Sequence, residues 1–191
     1  GYEVALALSK LGVTTTLIAG PSFINFSKDL KIINVISADE MLNSVKELLP
    51  VDIAVCAAAV TDYKPKVKNK NKIKKDSINL NALSLKKNQD ILEYLGKNNK
   101  FKPRFLVGFS AETENLLENS KKKINNKYCD LIVANDVSKK TTGFNVDYNK
   151  VSIIDKKGKV ENIQRNKKSY IARIIAKKII NSFLINEKNI N

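Results

Sequence analysis

The stretch from Val51 to Lys75 constrains the fold most, because a short apolar run there ends in small residues that are followed by an acid and a lysine-rich loop. The run Asp52–Ala59 is largely apolar at both odd and even positions and follows Pro50, which predicts a strand buried between helix layers of a parallel sheet. Ligands bind open α/β sheets beyond the carboxyl ends of the strands. The stretch therefore predicts either a ligand site at this strand end or a tightly packed strand followed by a solvated surface loop.

The residues at this predicted strand end suit a nucleotide or a sugar phosphate. Ala57, Ala58 and Ala59 are small enough for a ligand to approach the backbone closely. On the ligand interpretation, Asp62 binds a sugar hydroxyl and Lys72 binds a phosphate.

Length and composition indicate one soluble domain. The chain has 191 residues, 43% of them hydrophobic, and no apolar run reaches the roughly 18 residues of a membrane span. Cys56 and Cys129 lie in strand-like runs without CxxC spacing, which predicts small core residues in a reducing, cytoplasmic compartment. The absence of His excludes Ser–His and Cys–His catalysis and leaves Lys, Asp, Glu, Asn or a bound metal ion for any chemistry.

The formal charge of +15 raises the possibility of nucleic-acid binding. Only Arg104, Arg165 and Arg173 are arginine, whereas recognition of base edges and phosphates favours arginine. The lysines are spread along the chain beside abundant Asn and Ile, which indicates a compositional bias. A positive field still speeds encounter with small anions such as nucleoside triphosphates.

Helix and strand patterns alternate along the chain. The periodicity predicts helices at 1–11, 37–49, 90–95, 112–126 and 167–184, and strands at 13–19, 31–36, 52–59, 78–85, 104–109, 129–134, 151–154 and 159–163. Ser37 and Glu40 form a predicted capping box, and residues 63–76 read as a lysine-rich flap. The order predicts an α/β, Rossmann-like doubly wound, mostly parallel sheet with a C-terminal β-hairpin and a closing helix.

Three of the predicted strands, 52–59, 104–109 and 129–134, end in Ala or Gly followed by polar residues. Such ends predict a crevice along one edge of the sheet, with Asn135 and Asp136 at the third strand.

A chain that begins with a helix and then a strand is half of a βαβ unit. We therefore expect a first strand and a glycine-rich turn to precede Gly1 in a longer protein.

Several ordered motifs together resemble one family. AAAVTDYKP with KIKK, then VGFSAETEN, then DLIVANDVS followed by GFNVDYNKV, resemble the CTP-dependent phosphopantothenate–cysteine ligase domain. In bacteria this domain usually follows a flavin-dependent decarboxylase in a bifunctional protein of coenzyme A biosynthesis. The resemblance covers essentially the whole chain. It implies that CTP and Mg²⁺ activate 4'-phosphopantothenate as an acyl-cytidylate that L-cysteine attacks, with FMN present only if a decarboxylase domain precedes this chain.

The resemblance also implies a set of site residues. The KIKK motif makes Lys72 the catalytic lysine that stabilises charge on the departing pyrophosphate, and the family's KNPD stretch appears here with Gln89 in place of Pro. The implied CTP-binding residues are Ala57, Ala58, Asp62, Lys72, Gln89, Asp90, Ile91, Leu92, Phe109, Lys123 and Lys127. By default, Phe109 would be a core residue and the two helix lysines would be solvated. Members of the family begin with a Ser-Ser-Gly-Lys-Met-Gly-like segment after a catalytic Asn, and Gly1 resembles its last residue.

The family resemblance further implies a homodimer in which residues 64–76 help to cover the partner's site.

Two other classes of function compete with the ligase. An NAD(P)-binding oxidoreductase is compatible with a doubly wound sheet, although the chain has no G-x-G-x-x-G fingerprint. A basic RNA-binding module predicts steep salt dependence and no nucleotide selectivity.

Overall fold

The computed structural model describes residues 1–67, 84–98, 100–112, 116–136 and 147–188. Its helices are α1 (Tyr2–Lys10), α2 (Ala38–Leu48), α3 (Ile91–Lys97), α4 (Leu116–Lys127) and α5 (Lys168–Lys188). Its strands are β1 (Thr16–Ala19), β2 (Lys31–Asn34), β3 (Ile53–Cys56), β4 (Tyr63–Pro65), β5 (Leu85–Lys87), β6 (Phe105–Glu112), β7 (Leu131–Asp136), β8 (Tyr148–Asp155) and β9 (Val160–Lys167).

The central sheet has five strands in the order β3-β6-β7-β8-β9. Strands β3, β6 and β7 are parallel, and β8 and β9 add an antiparallel hairpin at the other side. Strands β1 and β2 form a separate parallel pair, and β4 and β5 form a short antiparallel pair. The α/β, Rossmann-like and mostly parallel architecture predicted from the sequence is confirmed, with the hairpin and the closing helix at the C-terminal end.

Two hydrophobic clusters lie on opposite faces of the central sheet. Alternate residues of β6 and β7 point to one face or the other, as the two-residue period of a strand requires. The first cluster packs these strands against α1 and α5, through residues such as Leu8 and Ile175. The second packs them against α2, α3 and α4, through residues such as Leu42, Leu95 and Ile124. Helices on both faces leave the two ends of the parallel strands as the places where a site can form.

The predicted capping box at the start of α2 is present. The Ser37 hydroxyl accepts a hydrogen bond from the Glu40 N–H, and the Glu40 carboxylate accepts one from the Ile36 N–H. This arrangement satisfies backbone donors that an α-helix leaves unpaired in its first turn.

The prediction that 52–59 is a strand buried on both faces is wrong in two respects. Strand β3 covers only Ile53–Cys56, and all four of its residues are half-buried. Its position at the edge of the five-stranded sheet explains this exposure, because among the described strands β3 pairs with β6 alone. Most of the predicted strand 78–85 lies outside the described residues.

The expected lysine-rich flap begins with regular structure. Tyr63 pairs with Lys87 and Pro65 pairs with Leu85, so the base of the segment is a two-stranded antiparallel ladder. The Lys64 ammonium forms an ion pair with Asp39 in the first turn of α2. The ladder is thereby attached to the helix layer, while residues 68–83 lie outside the described ranges.

Candidate nucleotide site at the carboxyl ends of β3 and β6

The loop that follows β3 has small residues next to the first turn of α1. A Cβ placed on Gly1 would lie 3.5 Å from the Ala57 Cβ. Ala58 and Ala59 are exposed, and the Val60 N–H donates to the Ala58 carbonyl oxygen over 3.1 Å in a tight turn. The backbone after β3 is therefore open to a ligand, as the small side chains predict.

Asp62 lies farther along this loop, where it is exposed. Its backbone carbonyl oxygen accepts a hydrogen bond of 2.7 Å from the Asn88 N–H. The Asn88 Nδ2 donates to the Thr61 carbonyl oxygen over 2.8 Å. The residue that holds this part of the loop, Asn88, was missed as a site residue, although it stands in the same KNQD stretch as Gln89 and Asp90.

The stretch from Gln89 to Leu92 forms the start of α3. Asp90 is the N-cap, and its Oδ1 accepts a hydrogen bond of 2.9 Å from the Glu93 N–H. Ile91 and Leu92 are buried in the second hydrophobic cluster. Because their side chains serve the core, only their backbone groups are placed to meet a ligand, which agrees with the backbone contact that the family resemblance implies.

Phe109 lies within β6, which continues to Glu112 beyond the end predicted at residue 109. Cys56 pairs with Gly108, so Phe109 stands level with the first residue after β3. Its half-buried ring packs against the cluster formed with α1 and α5. Phe109 is thus both a core residue and a residue at the candidate site.

Gly108 has a packing role that differs from the one its small size predicted. A Cβ at this position would lie 2.7 Å from the Ile132 Cδ1 and 2.8 Å from the Leu92 Cδ2. A side chain here would force the ends of the Ile132 and Leu92 side chains to shift, on the face that α3 covers. Glycine at this position lets α3 approach the sheet closely. Its small size therefore has a packing role in addition to leaving space for a ligand.

Lys123 on α4 reaches the end of β6. Its Nζ donates to the Phe109 carbonyl oxygen over 3.2 Å, and the side chain is part-buried. The structure therefore brings together two of the residues that were predicted to bind the same nucleotide. Their side chains lie on opposite faces of the sheet, because Phe109 packs towards α1 and α5 whereas α4 covers the other face.

Lys127 is half-buried on the same face of α4 but has carboxylate partners. Its Nζ lies 3.0 Å from the Asp90 Oδ2 and 2.6 Å from the Glu93 Oε2. Hydrogen bonds from Lys127 and Lys97 lower the pKa of Glu93 to about 2. The site prediction missed Glu93, which makes this lysine part of a bridge between α3 and α4.

The structure thus divides the predicted residues into groups. Ala57, Phe109 and Lys123 lie around the ends of β3 and β6, and Asn88 holds Asp62 farther along the loop that follows β3. A second group, Asp90 and Lys127, is joined by an ion pair. The predicted catalytic residue, Lys72, lies outside the described residues. At the third strand end, the Asn135 Oδ1 accepts a hydrogen bond of 2.9 Å from the Asn149 Nδ2.

The two cysteines are poor nucleophiles. Burial is the main cause that raises the pKa of both Cys56 and Cys129 to about 12. A thiol with such a pKa stays protonated at neutral pH, and only the thiolate attacks or binds a metal. Cys129 is a buried core residue, as the sequence predicted, whereas Cys56 is half-buried and packs against the second hydrophobic cluster.

Within the described ranges, no group of three or more Cys, Asp or Glu side chains is arranged to hold a metal ion. None of the described helices is both long enough and apolar enough to cross a membrane.

A cavity of about 210 Å³ lies away from the candidate site, between α4 and the turn after β8, near the start of β7. Lys121, Lys156 and Lys157 line it, at the end of the sheet opposite the candidate site.

The architecture defines an α/β protein with a Rossmann-like sheet, and its candidate site lies at the carboxyl ends of the parallel strands. Residues 1–183 match the model of the DNA/pantothenate metabolism flavoprotein C-terminal domain. The chain belongs to this family.

Relatives carry the same domain within longer chains. Coenzyme A biosynthesis bifunctional protein CoaBC of Borreliella burgdorferi is 37% identical over 182 residues, which are 93% of this chain and 44% of the relative. A protein named cysteine/cysteine sulfinic acid decarboxylase, from an unknown prokaryotic organism, is 35% identical over 182 residues, or 94% of this chain and 50% of that one. The chain thus spans about half the length of these relatives.

A solved structure shares the fold. The C-terminal domain of coenzyme A biosynthesis bifunctional protein CoaBC superposes with a TM-score of 0.78 at 31% identity, covering 98% of this chain and 82% of that one. The family resemblance drawn from the sequence motifs is therefore confirmed over most of the chain.

Proposed function

We propose that this chain is the ligase domain of a coenzyme A biosynthesis protein and joins 4'-phosphopantothenate to L-cysteine at the expense of CTP. In the first step, a carboxylate oxygen of phosphopantothenate attacks the α-phosphorus of CTP and pyrophosphate leaves. In the second, the cysteine amine attacks the acyl-cytidylate carbonyl, the amide forms and CMP leaves. Both steps depend mainly on positioning and on neutralising phosphate charge, so they need no His.

The observation that carries the proposal is the convergence of family motifs at one strand end. The AAAVTD loop follows β3, the VGFSAE strand is β6, and their register places Ala57 level with Phe109. Lys123 contributes a cation at the same strand end from the other face of the sheet, donating to the Phe109 carbonyl oxygen. An open backbone, an aromatic ring and a cation are what a nucleotide requires for its ribose phosphate, base and charge.

Each residue has a part in the proposed site. Ala57 and Ala58 lie against the nucleotide and Asp62 binds it nearby. Lys72 stabilises charge on the departing pyrophosphate, and Lys123 binds the nucleotide as a cation. Lys127 acts through Asp90 and Glu93, whose negative charge it neutralises beside the start of α3.

Mg²⁺ is compatible with this proposal as an ion that binds together with the triphosphate. The ion keeps several waters and is usually held by one or two carboxylates and substrate phosphates. Asp62 is an exposed carboxylate at the site, and it would be the protein's contribution to holding Mg²⁺. The ion would supply charge neutralisation on the leaving pyrophosphate.

We also propose that the protein works in the cytoplasm as a homodimer in which residues 64–76 help to cover the partner's site. The exposed residues Tyr63, Val67 and Leu85 at the base of this segment leave apolar surface for such a contact. Light scattering on the full-length protein gives the subunit number directly, and a monomeric enzyme with full activity would contradict this part of the proposal.

The test measures ligation and nucleotide selectivity in the full-length protein. We expect pyrophosphate release that requires both CTP and phosphopantothenate, with the acyl-cytidylate detected by mass spectrometry when cysteine is omitted. At about one hundred times its dissociation constant, CTP should add about 2.7 kcal/mol to the stability, a rise of roughly 3 °C or more in Tm.

Thermal unfolding with each ligand in turn separates the ligase from the two other hypotheses. A rise in Tm with NADH and none with CTP would replace the ligase with an oxidoreductase. Binding of RNA with a steep salt dependence and no nucleotide selectivity would favour the RNA-binding module.

A further inference from the structure

Asn88 connects the loop after β3 to the start of α3. We infer that Asn88 is a positioning residue that holds Asp62 and the β4–β5 ladder in place for CTP. The inference rests on the proposed function, since it assigns Asn88 to the same nucleotide site. It does not make Asn88 a ligand, because its side-chain oxygen is fully buried.

The contacts of Asn88 run to one place, 27 positions earlier in the chain. Its Nδ2 donates to the Thr61 carbonyl oxygen over 2.8 Å, and its backbone N–H donates to the Asp62 carbonyl oxygen over 2.7 Å. The residue is 7% exposed, whereas Thr61 and Asp62 are exposed. The buried Asn88 therefore holds, through two hydrogen bonds, the backbone of the exposed loop at Thr61 and Asp62.

The energetics of Asn88 argue for a role beyond stability. Its Oδ1 is buried and has no hydrogen-bond partner in the part of the chain that the structure describes. A buried polar atom without a partner costs free energy, which an apolar side chain of similar size would avoid. An asparagine is favoured here because its Nδ2 reaches the Thr61 carbonyl oxygen, and the unpaired oxygen is the cost of that contact.

The place of Asn88 in the chain lets it position three elements together. It follows β5 directly, so it stands at the base of the segment that carries Lys72. Asp90, two residues later, caps α3. Across the ladder, Lys64 forms an ion pair with Asp39, which ties the same base to α2. A displaced Asn88 would therefore move Asp62 relative to both α3 and the β4–β5 ladder.

The experiment compares Asn88→Ala with Asn98→Ala in the full-length protein. Asn98 is a matched control because its Oδ1 accepts two backbone hydrogen bonds, from the N–H groups of Lys100 and Phe101, at the other end of α3. We expect Asn88→Ala to lower kcat/KM for CTP about tenfold or more, with KM for cysteine unchanged. Asn98→Ala should leave both constants close to those of the unchanged protein.

Amide hydrogen exchange gives a second measurement that does not depend on the nucleotide. We expect exchange of the amides in 57–62 to accelerate about tenfold or more in Asn88→Ala and to stay unchanged in Asn98→Ala. If Asn88→Ala does not fold, Asn88→Ser, which keeps a small polar side chain too short to reach Thr61, replaces it in both measurements.

Each result has a distinct meaning. Equal kcat/KM values in the two variants, or unchanged exchange in 57–62, would overturn the positioning role. If the unchanged protein releases no pyrophosphate from CTP, the proposed function fails, and the exchange comparison alone then decides whether Asn88 holds the loop.

Discussion

Lys123 and Lys127 show at the residue scale how two similar side chains acquire different roles. They stand four positions apart on one face of α4, as helical periodicity requires. Lys123 donates to a backbone carbonyl oxygen at the end of β6, whereas Lys127 is paired with two carboxylates. Lys123 therefore retains a net positive charge for a ligand, while the charge of Lys127 is already compensated.

Lys123→Met should weaken CTP binding more than it weakens the fold. The change removes a cation beside Phe109, and we expect the Kd for CTP to rise about tenfold or more, in line with the free energy of a charged hydrogen bond. Calorimetric titration measures this Kd. Lys122→Met is the matched control, because Lys122 is 66% exposed and pairs only with Glu118 among the described ion pairs. An equal rise in Kd in the two variants would mean that Lys123 contributes only to the overall positive charge and does not bind CTP at the site.

Glu93 predicts an acid-sensitive contact between α3 and α4. Hydrogen bonds from Lys127 and Lys97 lower its pKa from 4.5 to about 2. A lowered pKa means that the carboxylate stabilises the folded state above about pH 4.5, and that this contribution is lost as the pH falls towards about 2. We expect the difference in urea midpoint between the unchanged protein and Glu93→Gln to be largest at neutral pH and to shrink below pH 4.5.

Glu118→Gln provides the control for that pH series. Glu118 forms an i,i+4 ion pair with Lys122, and both side chains are 66% exposed. Such pairs contribute little, so this variant should differ only slightly from the unchanged protein at every pH. A pH-independent effect of Glu93→Gln would contradict the role assigned to its charge.

At the scale of elements, α3 is held in place by close backbone contacts. A Cβ on Gly96 would lie 1.9 Å from the Lys127 carbonyl oxygen and 3.2 Å from the Tyr128 Cβ. Gly108 lets the Leu92 side chain, four positions before Gly96 on the same face of α3, pack closely on β6. Because α3 begins at the candidate site, the glycines that determine its position also determine where residues 89–92 stand.

Gly96→Ala should destabilise the fold by about 2–3 kcal/mol, since the new methyl group collides with backbone that cannot move easily. Chemical unfolding measures the change. Gly20→Ala is the control, because a Cβ at Gly20 meets nothing within 4 Å, and its effect should stay within about 1 kcal/mol. Equal stability of the two variants would show that α3 and α4 can separate at no cost.

At the scale of the whole molecule, the net charge of +15 favours anionic substrates. A positive field raises the encounter rate with a triphosphate, and salt screens that field over a Debye length of about 10 Å at 0.1 M. We expect kcat/KM for CTP to fall about threefold or more between roughly 0.05 and 0.5 M salt. The KM for cysteine, a zwitterion without net charge, should change little. A kcat/KM for CTP that does not respond to salt would contradict electrostatic steering.

Local patterns predicted those parts of the molecule that depend on neighbouring residues. The capping box at Ser37 and Glu40, the amphipathic closing helix and the hairpin around Gly158 all formed near their predicted positions. Each depends on contacts between residues close in the chain, through helical periodicity, capping or turn chemistry. The alternation of such elements was enough to predict the α/β, mostly parallel sheet.

Contacts between distant residues were decided by the tertiary structure alone. The edge position of β3, the pairing of Lys127 with Glu93 and the support that Asn88 gives to Thr61 join residues that lie 27 or more positions apart. No local pattern records which strand neighbours which, or which carboxylate a lysine reaches. These arrangements follow from how the helix layers pack on the sheet, so residue types predicted a site at the strand ends and the packing determined which side chains meet there.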